Sequence, residues 1–342
     1  MVEGQACSHQ KSIIALFLMR KHTQPPRVSV VIPVKNGRAT LGPCLEGVLA
    51  QTMRRELEII VIDSGSKDGT LALLGNYPVR VEQISPERFN HGATRNLGAK
   101  LAQGEFVAMT VQDARPVDEY WLERMVRHFE DPKVAGVCGQ QVVPHEPDKS
   151  PLQWFRPYSE PRVKKVWFAK PAEFDRLSAA KRVSLCGWDD VTAMYRRSTL
   201  LEVPFRRVSF AEDVIWASDA LCRGQALVYD YSARVYHYHH ENFSFRFRRE
   251  FTILFHRYGH FGHLPLPAWL LPELARCLHR IVRRKYCPDR RLHWLGYGMR
   301  LVAADWLSGW CFWIACRLGG ARVVGRLHRR WCEVPPQAVQ TT

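Results

Sequence analysis

The sequence predicts an α/β fold with a mostly parallel sheet and flanking helices, followed by a C-terminal helical extension. Between Val28 and Val111, short β-branched runs alternate with helical stretches, which is the order that builds a parallel sheet covered on both faces. Beyond Pro265 the chain consists instead of stretches rich in Leu, Trp and Arg. The length of 342 residues suits one large domain plus such an extension.

The elements are predicted in chain order from runs of apolar residues that end at turn-forming residues. Strands are expected over 28–32, 57–62, 79–84 and 106–111, with helices over 39–51, from Thr70 onward and over 92–103. Residues 146–185, rich in Pro, Trp and Lys, are expected to form a long surface excursion. Order is expected to return with 191–195, a helix over 211–222, a strand over 226–231 and helices over 265–331.

The net charge of +16 predicts an anionic partner, which could be nucleic acid, a phosphorylated substrate or an acidic lipid surface. The charge is concentrated late in the chain. Residues 246–332 contain 17 Lys and Arg but only four Asp and Glu. The chain is therefore divided into a loose leader over 1–26, a nearly neutral body over 27–262 and a basic, Trp-rich helical extension over 263–342.

The ten cysteines form no CxxC pair, so a structural zinc site is not expected. The apolar run 13–19 is short and has no small-residue cleavage site after it, which is unlike a signal peptide. We therefore expect free thiols in a reducing cytoplasm, with a secreted disulfide protein as the alternative.

Polar segments follow two of the predicted strands. Asp63 opens the run Asp-Ser-Gly-Ser-Lys-Asp-Gly-Thr, and Gln112-Asp113 follows strand 106–111. Parallel sheets bind ligands beyond the carboxyl ends of their strands. Asp63 is therefore a candidate contact for a base or ribose, and Asp113 for a divalent cation that bridges two phosphates. The alternatives are a polar strand–helix turn and a helix cap.

Charged residues also lie at two predicted helix starts. Arg95 follows the turn Phe89-Asn-His-Gly and could bind a pyrophosphate or a base carbonyl. The alternative is that this segment is simply the start of a surface helix. Glu212 and Asp213 lie in the first turn of helix 211–222. A carboxylate there could deprotonate an acceptor hydroxyl, or it could merely be an acidic residue that interacts favourably with the helix dipole.

His237 and His239 alternate in the segment Val-Tyr-His-Tyr-His-His-Glu, so they would share one face of a strand. Imidazoles so arranged could bind a metal or a pyrophosphate. The alternative is an aromatic-rich strand end without a ligand.

The order of these segments resembles the family 2 glycosyltransferases over about residues 28–262. The resemblance is carried by Val28-Ser-Val-Val-Ile-Pro-Val-Lys-Asn36, the Asp63 run, the strand-end Asp113 and Glu212-Asp213. Three blocks are similar to the bacterial rhamnosyltransferase-type branch: 89–99, 112–116, and Pro204-Phe205 with 210–213. The resemblance implies an inverting, sugar-nucleotide-dependent enzyme whose GT-A, Rossmann-like catalytic domain covers 27–262.

The resemblance also implies a role for each matching residue. Asp213 would be the catalytic base; the nucleotide would contact Pro33, Asn36, Asp63 and Arg95; Asp113 and His239 would bind Mg²⁺ or Mn²⁺; and Gln112, Glu212 and His237 would support them. The usual metal motif of the family has two aspartates one residue apart, whereas this chain has Gln112-Asp113-Ala114. The single carboxylate puts the strictness of metal dependence in question.

The branch implies transfer of L-rhamnose from dTDP-L-rhamnose to a hydroxyl of a glycan or lipid-linked acceptor in cell-surface polysaccharide synthesis. One alternative is a non-catalytic sugar-nucleotide-binding module. The other is a basic nucleic-acid-binding protein, although the sequence contains no zinc-finger, homeodomain or aromatic RNA-binding motif. We therefore expect no nucleic-acid partner.

Residues 294–320 form an aromatic-rich apolar segment flanked by arginine clusters. Arg300 and Asp305 interrupt it, which disfavours a membrane span. Trp next to cationic residues suits a helix on an anionic membrane surface. The prediction is a cytoplasmic enzyme bound peripherally at the inner face of a bacterial plasma membrane, and the alternative is a helical hairpin packed on the domain.

Overall fold

The computed structural model describes residues 25–144, 146–151, 160–283 and 290–332, so most of the predicted leader lies outside the described residues. The strands are β1 Val28–Val34, β2 Leu57–Asp63, β3 Arg80–Gln83, β4 Phe106–Met109, β5 Arg115–Pro116, β6 Val134–Val142, β7 Val163–Val166, β8 Ala193–Arg196 and β9 Ala226–Tyr236. The predicted strands are all present, with ends displaced by a few residues.

The α-helices follow the predicted order as well. They are α1 Leu41–Leu49, α2 Thr70–Leu74, α3 His91–Leu101, α4 Trp121–Val126, α5 Pro171–Asp175, α6 Ala179–Leu185, α7 Arg197–Glu202, α8 Glu212–Leu221, α9 Phe243–Phe261, α10 Leu270–Val282 and α11 Arg291–Cys332. Short 3₁₀ turns cover Arg54–Glu56, Pro86–Arg88 and Arg127–Glu130.

The strands form one mixed sheet in the order β3-β2-β1-β4-β8-β6-β9-β5, with β7 paired to β9. The half built from β1 to β4 is parallel, as predicted. β8 runs antiparallel to both β4 and β6, and β5 and β7 run antiparallel to β9. β6 and β9 pair in parallel, so the predicted mostly parallel sheet with flanking helices is confirmed. The antiparallel strands β5, β7 and β8 were not predicted, because an apolar run does not indicate strand direction.

β1 continues through Pro33, where the sequence predicted that it would end. Pro33 lies opposite Ile62 of β2, whereas the pairing of β1 with β4 stops at Val31 and Met109. The Val34 carbonyl accepts from Ser64 on the β2 side, so the backbone of Pro33 faces the other side, beyond the end of β4. Its missing N–H therefore interrupts no ladder, which is how proline is tolerated in strands.

The predicted surface excursion over 146–185 has more structure than expected. Within its described residues it forms β7, α5 and α6. Val166, Phe174 and Leu185 are buried in the core under one face of the sheet. These three apolar residues are too widely spaced for a periodic signal, which is why the sequence did not indicate the elements.

Helices cover both faces of the sheet. α1 and α4 pack in the core on one face, and α3, α7 and α8 in the core on the other. α3 lies close to β1 because Gly98 has no side chain: a Cβ there would be 2.3 Å from Val31 Cγ1. This close approach positions the start of α3, which carries Arg95.

The C-terminal helices pack on one another. Phe251 of α9 and Phe312 of α11 meet with ring centroids 5.3 Å apart in a third core. α11 bends at Gly319–Gly320, where Gly320 has φ 54°. The predicted boundary at 262/263 falls at the end of α9, which itself packs against the extension.

The aromatic segment of the extension is partly buried and partly exposed, with Leu307, Ile314 and Leu318 among its exposed residues. Trp294, Tyr297, Leu301 and Phe312 are buried. Among the described residues, no helix is both long and apolar enough to span a bilayer.

Candidate active site

The loops that follow β1, β2 and β4 are joined by hydrogen bonds at the carboxyl end of the parallel half-sheet. The Lys35 N–H donates to Gln112 Oε1 at 2.9 Å, and the Asn36 N–H donates to Ser66 Oγ at 2.8 Å. Asn36 Oδ1 accepts from the Lys67 N–H at 2.9 Å. The structure therefore brings the predicted residues Asn36, Gln112 and the Asp63 loop to one edge, as the parallel topology required.

The Asp63 carboxylate is fully buried and orders its own loop. It accepts from the Gly65 N–H at 3.2 Å and from the Ser66 N–H at 3.0 Å. These bonds fit the turn interpretation of the segment. Contact of Asp63 with a nucleotide stays a prediction. The predicted nucleotide contacts of Asn36 and of Pro33, which is half-buried within β1, stay predictions as well.

Asp113, His237 and His239 form the candidate metal site. His237 Nε2 lies 3.5 Å from Asp113 Oδ1, and His239 Nε2 lies 3.6 Å from Asp113 Oδ2. One ligand atom from each residue lies within 4.8 Å of the others. Both histidines lie just past the end of β9 rather than within it, but they face the same carboxylate, as their alternation predicted.

The chemistry of this donor set fits a divalent cation. Two imidazole nitrogens and one carboxylate bind transition metals such as Mn²⁺ while leaving coordination positions open. Burial would raise the pKa of Asp113, but the neighbouring His237 and His239 outweigh it and lower that pKa. Burial lowers the pKa of His239, which favours the neutral imidazole that a metal requires.

A second cluster surrounds Arg95. Its guanidinium pairs with Glu212 through Nη1 and with Asp190 through Nε at 3.1 Å, and all three side chains are almost fully buried. The sequence analysis assigned Arg95 to the nucleotide. In the structure the Nε and Nη1 atoms of Arg95 are directed at carboxylates, and its contact with the nucleotide stays a prediction.

Asp213 lies at the edge of the Arg95 cluster. Its Oδ1 accepts from the Val214 N–H at 2.7 Å, and its Oδ2 accepts weakly from the Asp190 N–H at 3.4 Å. Burial and the negative charges of Glu212, Asp190 and Asp189 raise its pKa well above the ordinary 3.8. A carboxylate with a raised pKa is a stronger proton acceptor, which suits a general base.

Asp190 is a buried acid that the sequence analysis missed. Burial raises its pKa to about 6 despite the facing Arg95. It accepts a hydrogen bond from the Tyr195 hydroxyl, which in turn accepts from Trp188 Nε1 at 2.7 Å. The only available signal was an acidic pair before an expected strand, since its partners Arg95 and Glu212 are distant in sequence.

The loop that carries the histidines is held by the C-terminal helices. Glu241 is buried and pairs with Arg249 and, at 2.9 Å, with Arg246. The Glu241 N–H donates to the Tyr297 hydroxyl at 3.1 Å, and Arg246 also forms a bidentate pair with Asp305 of α11. The extension therefore supports the candidate metal site.

The comparisons with known proteins agree with this arrangement. A glycosyl transferase family 2 model matches residues 29–200. O-antigen chain rhamnosyltransferase RfbN of Salmonella typhimurium is 31% identical over 235 residues, 67% of this chain and 72% of RfbN. O-antigen chain rhamnosyltransferase WbaN of Salmonella anatum is 36% identical over 129 residues, 37% of this chain and 40% of WbaN.

Among solved structures, the mannosyltransferase PcManGT from Pyrobaculum calidifontis, in complex with GDP-Man and Mn²⁺, has a similar fold. Its TM-score is 0.51 at 18% identity, covering 95% of this chain and 86% of PcManGT. The fold is accordingly GT-A, as the resemblance implied. Since the family model spans half of the chain and RfbN is 31% identical over most of its length, this chain belongs to the family 2 glycosyltransferases, and its resemblance to their rhamnosyltransferase-like branch is confirmed.

Proposed function

We propose that the protein transfers a sugar with inversion from a nucleotide diphosphate donor to a hydroxyl of a glycan or lipid-linked acceptor in cell-surface polysaccharide synthesis. The sugar is L-rhamnose and the donor dTDP-L-rhamnose, by likeness to RfbN and WbaN, which are named as O-antigen chain rhamnosyltransferases. The observation that carries the proposal is the pairing of a base, Asp213, with the cation-binding group Asp113, His237 and His239 in one GT-A domain.

The reaction requires a proton acceptor on one side of the sugar and stabilisation of negative charge on the other. The acceptor oxygen attacks C1 while the diphosphate departs in line, so one group takes a proton and another stabilises the developing negative charge. Asp213 takes the acceptor proton, and its raised pKa lets it hold that proton. Asp113, His237 and His239 would hold Mg²⁺ or Mn²⁺, which when bound supplies positive charge to the leaving diphosphate.

Neither alternative function is favoured. A non-catalytic binding module would have no use for a partly buried carboxylate with a raised pKa in the cluster next to the candidate metal site. A nucleic-acid-binding protein is not indicated by membership of a glycosyltransferase family.

The test measures release of dTDP from dTDP-L-rhamnose with an acceptor extract. Asp213→Asn should lower turnover by about 10²–10⁴-fold, the usual contribution of a general base, and leave dTDP binding unchanged. Asp113→Ala should weaken dTDP binding only when Mn²⁺ is present, as measured by calorimetry. The control Asp175→Ala, at an exposed residue, should change neither turnover nor dTDP binding. Normal turnover of Asp213→Asn would disprove the assignment of the base.

We also propose that the enzyme works in the cytoplasm as a peripheral protein at the inner face of a bacterial plasma membrane. The support comes from α10 rather than from the segment 294–320. Leu271, Leu278 and Val282, with exposed fractions of 78%, 48% and 60%, recur at spacings that keep them on one helix face. Trp269, just before the helix, is 75% exposed, and its ring centroid lies 6.3 Å from that of Trp310.

Cations lie on the side of α10 opposite this apolar face. Arg276 and Arg280 are exposed there, and Arg283 is exposed at the end of the helix. A helix with an exposed apolar stripe on one side, arginines on the other and a tryptophan at its start is typical of the interface of an anionic bilayer.

A further inference from the structure

Gln141, near the end of β6, lies between the candidate metal site and the carboxylate cluster. Its Oε1 lies 2.7 Å from His237 Nδ1, and its Nε2 donates to Asp189 Oδ2. On the far side of the same imidazole, His237 Nε2 faces Asp113 at 3.5 Å. One neutral side chain thus connects a residue beside the base to a candidate metal ligand.

The carboxylate of Asp189 fixes the direction of this chain of hydrogen bonds. An ionised carboxylate only accepts, and the second Asp189 oxygen already accepts from the Val191 N–H at 3.1 Å. The NH₂ end of the Gln141 amide must therefore face Asp189, which directs its carbonyl oxygen to His237. That oxygen only accepts, so His237 must carry its proton on Nδ1.

With the proton on Nδ1, the lone pair of a neutral His237 is on Nε2, the atom that faces Asp113 and the candidate cation site. The neutral histidine side chain free in water favours the opposite tautomer, with the proton on Nε2 and no lone pair for a metal there. The partner of the distal ring nitrogen commonly sets the tautomer and orientation of a histidine ligand.

We infer that Gln141 is a positioning residue that presets His237 for cation binding; this inference rests on the proposed metal site. Asp189 acts through Gln141, so its charge has two effects. It raises the pKa of Asp213 and also orients the amide that orients the histidine.

The test uses Gln141→Leu, which keeps the approximate size of the side chain and removes its hydrogen bonds to Asp189 and His237. The affinity for Mn²⁺, followed by electron paramagnetic resonance with dTDP present, should fall about 10–100-fold, as when other partners of metal-binding histidines are removed. The matched control is Gln140→Leu on the opposite side of β6. The Gln140 Oε1 has no hydrogen-bond partner, so this variant should bind Mn²⁺ like the wild type.

A second readout does not depend on metal. The ¹⁵N spectrum of metal-free wild-type protein should show His237 protonated on Nδ1, whereas Gln141→Leu should shift it toward Nε2 protonation. Gln141→Glu, which keeps an acceptor against His237, should restore the Nδ1-protonated form.

An unchanged tautomer in Gln141→Leu would overturn the inference, and so would Mn²⁺ affinity equal to wild type in that variant. A wild-type protein that binds no Mn²⁺ would instead disprove the proposed metal site. The tautomer spectra would still decide the role of Gln141, so the two failures are distinguishable.

Discussion

At Asp213 burial and charge act in the same direction. The carboxylate is partly buried and lies beside Glu212, Asp190 and Asp189, and together these influences outweigh the opposing charge of Arg95. Like charges in one cluster disfavour ionisation, so the pKa of this acid is raised. The site therefore uses acidic neighbours to make a carboxylate basic enough to accept a proton from a hydroxyl.

This arrangement predicts the pH dependence of turnover. Asp213 must be ionised to act, so activity should be lost as the pH falls through its raised pKa, above the ordinary 3.8. Glu212→Gln removes a neighbouring negative charge and should lower the Asp213 pKa, moving the acid limb of the kcat profile to lower pH. The exposed Glu202→Gln is the control; a limb that stays in place in Glu212→Gln would contradict the electrostatic account.

The sequence predicted the site residues whose partners lie in the same segment or at the end of a neighbouring strand. Asp113 and His239 were expected to be metal ligands, with His237 in support, and the structure brings all three together. The partners of Arg95 were not predictable, because Asp190 and Glu212 reach it from the start of β8 and the start of α8. Such a contact depends on how three elements pack and leaves no local pattern.

At the scale of elements, the histidine loop depends on a helix that the sequence treats as an appendage. Tyr297 of α11 stacks on His240, with ring centroids 4.6 Å apart, and its hydroxyl accepts the buried Glu241 N–H at 3.1 Å. Charge and composition separate the extension from the catalytic body, but these contacts join them. Charge and composition therefore did not predict which residues of the catalytic body the extension contacts.

Tyr297→Phe tests this support. The change keeps the ring and removes the acceptor, leaving a buried N–H unpaired, which costs about 1–3 kcal/mol. We expect a lower Tm and weaker Mn²⁺-dependent dTDP binding, because the loop that carries His237 and His239 loosens. Tyr77→Phe removes a hydroxyl from an exposed 3.3 Å hydrogen bond to Glu46 and should change neither; equal effects of the two variants would rule out the support.

At the scale of the whole molecule, the positive charge and the candidate active site lie in different parts of the chain. Residues 246–332 carry 17 of the 49 basic residues but only four of the 33 acidic ones. The buried Arg95 and the two histidines are few, so the candidate site does not account for the net charge of +16. An anionic surface that contacts the C-terminal helices accounts for it better, and the exposed apolar face of α10 is the reason for proposing that this surface is a bilayer.

Flotation with vesicles tests the role of that face. The protein should float with phosphatidylcholine–phosphatidylglycerol vesicles and much less with phosphatidylcholine alone, because arginines near an anionic surface contribute about 1 kcal/mol each. Leu271→Glu with Leu278→Glu should reduce binding at least about tenfold, since burying one leucine contributes about 1.5–3 kcal/mol. Leu201→Glu, at an exposed leucine of the catalytic body, should bind like the wild type. Unchanged flotation of the double variant would disprove the membrane role of α10. If the double variant instead loses a dimer that the wild type forms, the apolar face of α10 binds a second copy of the chain.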